Sequence, residues 1–141
     1  CVINHIMDSP LKQATFIRIK EHSKENLGSG TDETKIAKLE SALKIKIPEE
    51  YRIFLEEIGY AEIYGDQIYS IYNIPDEIPC HGLHWLNKKN EYLSDGFIRF
   101  FSNDIDGRFY IHEQSGKVYL NSKDNLFAKS FFDFINKMLS L

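Results

Sequence analysis

Residues 97–120 contain three strand-like runs separated by short turns, and no other stretch restricts the fold as strongly. The runs occupy residues 97–101, 108–112 and 117–120, and the turns between them are rich in Gly, Asn and Asp. Connections this short join neighbouring antiparallel strands, because parallel strands need a long crossover. This stretch therefore predicts an antiparallel meander.

Two helices are predicted before the strands. An N-cap at Thr31 or Asp32 and an apolar residue at every third or fourth position predict a helix over residues 32–43. Pro48 is expected in the first turn of a second helix, where its missing N–H costs nothing, and Gly59 ends that helix. The apolar face of this helix pair comprises Ile36, Leu39, Leu43, Ile47, Tyr51, Phe54, Leu55 and Ile58.

The remaining segments complete the predicted order of elements. Residues 130–141 carry an apolar stripe that predicts a closing helix, and residues 82–93 suit a short helix. Residues 15–22 fit a helix or a strand, and we favour a helix to about Asn26, stopped by Gly28. Helices, strands and a final helix predict an α+β fold whose mostly antiparallel sheet has helices packed N-terminal and C-terminal to it. Residues 1–30 are interpreted as a partly helical extension and residues 31–141 as the domain.

Residues 60–72 are the strongest candidate for a binding surface. Tyr and Ile alternate around Gly65-Asp66, which predicts a strand or a hairpin with a Gly-containing turn. Exposed rings would supply buried area to a protein partner, and the carboxylates would steer a basic one. The alternative is that the tyrosines only pack the sheet edge. The candidate partner-binding residues are Tyr60, Glu62, Tyr64, Asp66, Tyr69, Tyr72 and, in the next segment, Trp85.

The charge balance favours a protein partner over nucleic acid. The chain has 21 acidic and 17 basic residues, for a net charge of −4, and its longest basic cluster is Lys88-Lys89. Nucleic-acid affinity depends on phosphate contacts, so direct nucleic-acid binding is disfavoured. No apolar run reaches the roughly 18 residues of a membrane span, and no signal peptide is recognised. We therefore expect a cytoplasmic protein without a membrane partner.

The cysteines and histidines do not form a convincing reactive site. Cys80-His81, with His84 nearby, could be a thiol and its base, but adjacent residues on a strand point apart. A semi-buried, unreactive Cys80 is the better interpretation. Cys1 lies at the terminus, so a structural disulfide is not expected, and the histidine spacing does not match a zinc site.

Two acidic groupings also have ordinary explanations. Asp104 and Asp106 faintly resemble a calcium loop, but Asn and Asp are common in turns because their side chains cap the backbone. Glu56-Glu57 is interpreted as the solvated face of a helix. We therefore expect no enzyme activity, no catalytic residues, no metal and no cofactor.

The order of these motifs resembles the SUKH superfamily, which includes bacterial immunity proteins and the yeast regulator of cell-wall glucan synthesis. Residues 36–55 resemble its paired helices, residues 58–69 its Gly-aromatic segment, and residues 127–135 its closing helix. The likeness spans about residues 31–139, although Ala61 stands where many members have a second glycine. The matching residues of the paired helices are Glu40, Leu43, Pro48, Tyr51, Phe54 and Leu55.

This resemblance implies an α+β protein that binds and neutralises a cognate toxin, which could be a nuclease, and that needs no cofactor or catalytic residues. The alternative is a non-catalytic adaptor or scaffold that binds a peptide or regulatory protein. A third hypothesis, a hydrolase that uses Cys80 or a histidine, has the least support. We expect a monomer or a weak homodimer.

Overall fold

Three helices precede the first strand in the structure, a computed structural model that describes residues 9–24, 27–71 and 82–140. Asp32 caps the second helix as predicted, since its Oδ1 accepts a hydrogen bond from the Lys35 N–H at 2.9 Å. Pro48 precedes the third helix as its N-cap, one position earlier than predicted. The helices are α1 (Pro10–Ser23), α2 (Glu33–Leu43) and α3 (Glu49–Glu57).

The first helix ends earlier than residue 26, where the sequence pattern predicts its end. Lys24 adopts a positive φ of 50°, which breaks the helix directly after Ser23. The Ser23 hydroxyl donates to the Glu62 carbonyl at 2.9 Å and accepts from the Glu62 N–H at 3.1 Å. A tertiary contact with another segment therefore fixes this helix end, and no local pattern could predict it.

The strands form two antiparallel sheets, which confirms the predicted α+β class and the meander. A short hairpin precedes a four-stranded sheet, and α4 (Leu83–Asn87) and a 3-10 helix (Leu93–Asp95) connect the two. No local sequence pattern predicts the fourth strand of the larger sheet. The hairpin strands are β1 (Ala61–Ile63) and β2 (Asp66–Ile68), and the larger sheet has the order β3 (Phe97–Asn103), β4 (Gly107–His112), β5 (Val118–Leu120) and β6 (Leu126–Ala128).

The turn between β1 and β2 consists of Tyr64 and Gly65. Both residues have a positive φ, 50° and 89° respectively. A two-residue turn of this kind matches the right-handed twist of the flanking strands. The hairpin interpretation of residues 61–71 is therefore confirmed.

Aromatic side chains fill the core between the helices and one face of the larger sheet. The closing helix, α5 (Phe131–Leu139), lies across that face, and the Ser130 hydroxyl caps its start by accepting from the Asp133 N–H. Phe134 stands 4.9 Å from Phe100 and 5.1 Å from Phe109, measured between ring centroids. The Phe131 ring stacks on Tyr51 of α3 at 5.0 Å. The core thus joins α3, the sheet and α5 through one continuous set of rings.

The first helix contributes to the same core. Phe16 and Ile19 are buried, and the Phe16 ring meets Phe132 of α5 at 5.9 Å. Arg18 also donates to the Asn136 side chain at 2.6 Å. The division of the chain at residue 30 stays a prediction, but α1 packs on α5. Within the described residues, no helix is long and apolar enough to cross a membrane.

Candidate protein-binding site

The hairpin presents several of the predicted binding residues and is fastened to α1. The Tyr64 N–H donates to His22 Nε2 at 2.9 Å, and the two rings meet edge to face at 4.6 Å. Tyr64 nevertheless stays 61% exposed, and Asp66 is exposed directly after the turn. The structure therefore holds an accessible ring beside a carboxylate on an anchored hairpin.

Tyr60 and Glu62 form a second pair on the hairpin side. The Tyr60 hydroxyl donates to Glu62 Oε2 at 2.5 Å. Burial, this hydrogen bond and the nearby negative charge raise the pKa of Tyr60 to about 12 from its ordinary value of 10.0. The ring is thereby kept neutral and oriented by a neighbouring carboxylate.

We expect Glu62→Gln to lower the pKa of Tyr60 towards 10.0, because the substitution removes the charge that opposes ionisation. The raised pKa stabilises the folded state below pH 10, and this contribution is lost as the pH rises towards 12. NMR titration of ¹³C-labelled tyrosine rings measures the change, and Tyr60→Phe assigns the resonance. A Tyr60 pKa that stays near 12 in Glu62→Gln would show that the charge of Glu62 does not contribute to the shift.

The other predicted binding residues have different environments. The Tyr69 backbone is part of the core framework, because its carbonyl accepts from the Tyr51 hydroxyl at 2.5 Å and its N–H donates to the Phe100 carbonyl at 2.9 Å. Trp85 is 41% exposed on α4, which packs against β3. Tyr72 lies outside the described residues, as do Cys1, Cys80 and His81. Partner binding by this set stays a prediction.

A groove on another side of the molecule was not anticipated from the sequence. It is open, has a volume of about 800 Å³, and lies where the start of α3, the turn after β4 and the start of α5 meet. Its lining includes five glutamates but only two basic residues. These charged residues are Glu33, Glu49, Glu50, Glu56, Glu113, Lys46 and Arg52.

Two of the groove glutamates hold the surrounding backbone. Glu50 Oε1 accepts a hydrogen bond from the Phe132 N–H at 2.8 Å, which ties α3 to the first turn of α5. Glu113 Oε1 accepts from the Lys46 N–H at 3.1 Å, which ties the turn after β4 to the loop before α3. The groove walls are therefore fixed by carboxylate–backbone contacts.

Arg52 lines the groove, but its main ion-pair partner, Glu40, does not. Its Nη2 lies 2.7 Å from Oε2 of Glu40, a residue of the resemblance motif, and the same oxygen accepts from the Ile47 N–H at 2.8 Å. Its contact with Glu56 is longer, at 3.9 Å. Arg52 therefore pairs mainly with Glu40 and compensates the negative charge of Glu56 only weakly.

The groove consequently carries uncompensated negative charge. Burial raises the pKa of Glu56, Arg52 opposes the change, and repulsion from Glu33, Glu49 and Glu57 adds to it. Among the described residues, no cation lies within 4 Å of Glu33 or Glu49. Such a concave surface attracts a basic group of a partner.

Sequence patterns could identify only part of this groove. Glu49 and Glu50 read as favourable charges in a helix first turn, and Glu56 as a solvated helix position. Glu113 lies far along the chain, in a turn between two strands. Nothing local connects these residues, because folding alone brings the turn to the start of α3.

The Asp104 and Asp106 segment is an ordinary turn. Asn103 Oδ1 accepts from the N–H groups of Ile105 at 3.1 Å and Asp106 at 2.5 Å, which is the side-chain capping expected of such a loop. The described part of the chain contains no group of three or more His, Cys, Asp or Glu residues that could hold a metal ion.

The sequence profile of the SMI1/KNR4 family (SUKH-1) matches residues 30–137. The match begins before α2 and ends within α5, and it therefore includes both the hairpin and the groove. No curated protein is significantly similar to the chain.

Proposed function

Since the chain belongs to the SMI1/KNR4 family (SUKH-1), which indicates an immunity or regulatory module, we propose that it is an immunity protein. It would bind a cognate bacterial protein toxin and neutralise it by direct contact, without catalysing a reaction. The toxin would present a basic surface to the acidic side of this protein.

The carboxylate-rich groove is the observation that supports this proposal most. A toxin that cleaves nucleic acid must offer cations to the phosphates of its substrate. Glu33 and Glu49 at the rim of the groove, with Glu56 inside it, would attract those cations and accelerate association. If this protein covers the cationic surface of the toxin, the nucleic-acid substrate cannot reach it. Binding alone would then neutralise the toxin.

We propose the hairpin as a second surface that can bind a basic protein. Tyr64 offers a large exposed ring, and Asp66 and the Tyr60–Glu62 pair place negative charge beside it. Tyrosine rings are enriched among the residues that contribute most to binding, because they bury area at a low entropic cost.

The test requires a candidate toxin, sought among the proteins encoded by the genes adjacent to this one, and the double variant Glu33→Lys/Glu49→Lys. Both side chains are exposed, so the fold should survive, with a cost of about 0.5 kcal/mol each from the helix N-termini. We expect the dissociation constant to rise about 100-fold, since two attractive contacts become repulsive. Titration calorimetry measures the change, and growth of cells expressing the toxin reports neutralisation.

Glu91→Lys is the matched control, because Glu91 is also exposed but does not line the groove. It should bind within about twofold of the unchanged protein. Failure of the unchanged protein to bind the toxin or to rescue growth would contradict the immunity role. Co-purification with a regulatory protein instead would support the adaptor alternative.

A further inference from the structure

The face of the larger sheet that points away from α5 carries a different chemistry from the groove. Side chains alternate along a strand, so residues in register with one another share a face. Phe101 and Phe109 pair in register and both contact α5. The opposite face, here named the arginine–tyrosine face, comprises Phe97, Arg99, Ser102, Arg108, Tyr110, His112 and Tyr119 from β3, β4 and β5.

The rings of this face form a connected platform. Phe97 meets Tyr119 at 5.2 Å and His112 at 4.7 Å between centroids. Tyr110 is covered by Tyr92, 5.3 Å away. These packed rings give the face a rigid, partly apolar floor.

The side chain of Asn87 holds the backbone of Arg99 through two hydrogen bonds. Its N–H donates to Asn87 Oδ1 at 2.8 Å, and its carbonyl accepts from Asn87 Nδ2 at 3.0 Å. Its side-chain Nε is buried and has no hydrogen-bond partner in the part of the chain that the structure describes. A buried N–H of a charged group without an acceptor costs stability. Stability therefore does not explain an arginine at this position, and a role in binding does.

The positive charge of the face is not neutralised within the described chain. No carboxylate there lies within 4 Å of Arg99 or Arg108. Burial lowers the pKa of Arg99, and the nearby Arg108 lowers it further. The two guanidinium charges therefore repel each other, and together they make this sheet face positive.

An apolar margin adjoins these cations. Leu126 of β6 pairs in register with Tyr119 and remains 52% exposed. An exposed leucine beside a half-buried tyrosine offers contact area to an apolar side chain of a partner, next to the partner's charged group.

We propose that the arginine–tyrosine face docks an acidic segment of a partner protein. A Glu or Asp carboxylate of the segment is received by Arg99 and Arg108, and a neighbouring apolar side chain covers Tyr119 and Leu126. Guanidinium groups suit this role because they bind carboxylates through parallel hydrogen bonds. The surface is opposite in charge to the groove and would serve a different region of a partner.

An acidic peptide fits this face better than nucleic acid does. Nucleic-acid binding needs several cations along a phosphate backbone, whereas the face has two. Lys123, a further cation that lies near the Tyr92 ring, is already paired with Asp95 at 2.8 Å. The net charge of −4 also repels a long polyanion.

The experiment titrates a synthetic peptide rich in Glu and Leu into ¹⁵N-labelled protein and follows the amides of β3 to β6 by NMR. We expect shifts centred on Arg99, Tyr110 and Tyr119. Arg99→Gln should raise the peptide dissociation constant about tenfold and Arg108→Gln about fivefold, while Arg99→Lys should lose less because it keeps the charge. The matched control, Arg18→Gln on α1, should stay within about twofold.

Thermal unfolding separates recognition from a structural role. Because Arg99 has no ion pair among the described residues and is repelled by Arg108, Arg99→Gln should keep or raise Tm while it loses affinity for the peptide. Unchanged affinity in Arg99→Gln and Arg108→Gln would overturn the proposal. So would a Tm loss that accounts for weaker binding, or equal shifts from a Lys-rich peptide or a single-stranded oligonucleotide.

Discussion

Phe134→Ala is expected to lower the free energy of unfolding by about 4 kcal/mol, because a fully buried phenylalanine leaves a cavity that the core cannot fill. Phe134 has no exposed surface and lies at the centre of the aromatic core. Its ring joins α5 to three strands of the sheet and to the start of its own helix. The rings it contacts are Phe100, Phe101, Phe109, Phe127 and Phe131.

Urea unfolding followed by circular dichroism measures the effect, which should also lower Tm by about 12 °C. Phe127→Ala is the control, because that ring meets Phe109 and Phe134 but is only half-buried. We expect a cost of about 2 kcal/mol there. Equal losses in the two variants would argue against a core centred on Phe134.

The elements with strong local patterns could be predicted from the sequence. The cap at Asp32, the apolar spacing of α2 and the stripe of α5 depend only on neighbouring residues, and all are confirmed. The hairpin was predicted because Gly65 can adopt the positive φ that its turn requires.

Features set by distant contacts could not be predicted in this way. Strand β6 has three residues, of which Leu126 is exposed, so it lacks an alternating pattern and exists because it pairs with β5. The candidate site divides in the same manner. Tyr64 and Asp66 share the hairpin as the sequence indicated, whereas Glu113 reaches the groove only through the fold.

The two charged surfaces explain why composition alone says little about binding. A net charge of −4 indicates a mildly acidic protein, yet it sums an acidic groove and a sheet face whose two arginines have no ion pair among the described residues. Binding depends on the local arrangement of charge, because water and salt screen charges beyond about 10 Å. Each surface therefore needs its own test.

The segment before α2 is held against the end of α3 by two glycines. The Gly28 N–H donates to the Tyr60 carbonyl at 2.8 Å, and the Gly30 N–H donates to the Ile58 carbonyl at 2.9 Å. Gly30 has a φ of +91°, and a Cβ there would stand 2.1 Å from the Glu56 carbonyl oxygen. Both the backbone angle and the close approach therefore require glycine at this position.

Gly30→Ala is accordingly expected to destabilise the protein by at least about 3 kcal/mol, since the added methyl must push one backbone segment away from another. Gly65→Ala is the matched control. Gly65 has a similar φ of +89° but no atom within 4 Å of the added Cβ, so only the backbone strain of about 1 kcal/mol should appear. The difference between the variants, measured by urea unfolding, isolates the steric contribution. Equal losses would mean that backbone strain alone selects glycine at residue 30, and that the chain before α2 can move away from α3 at little cost.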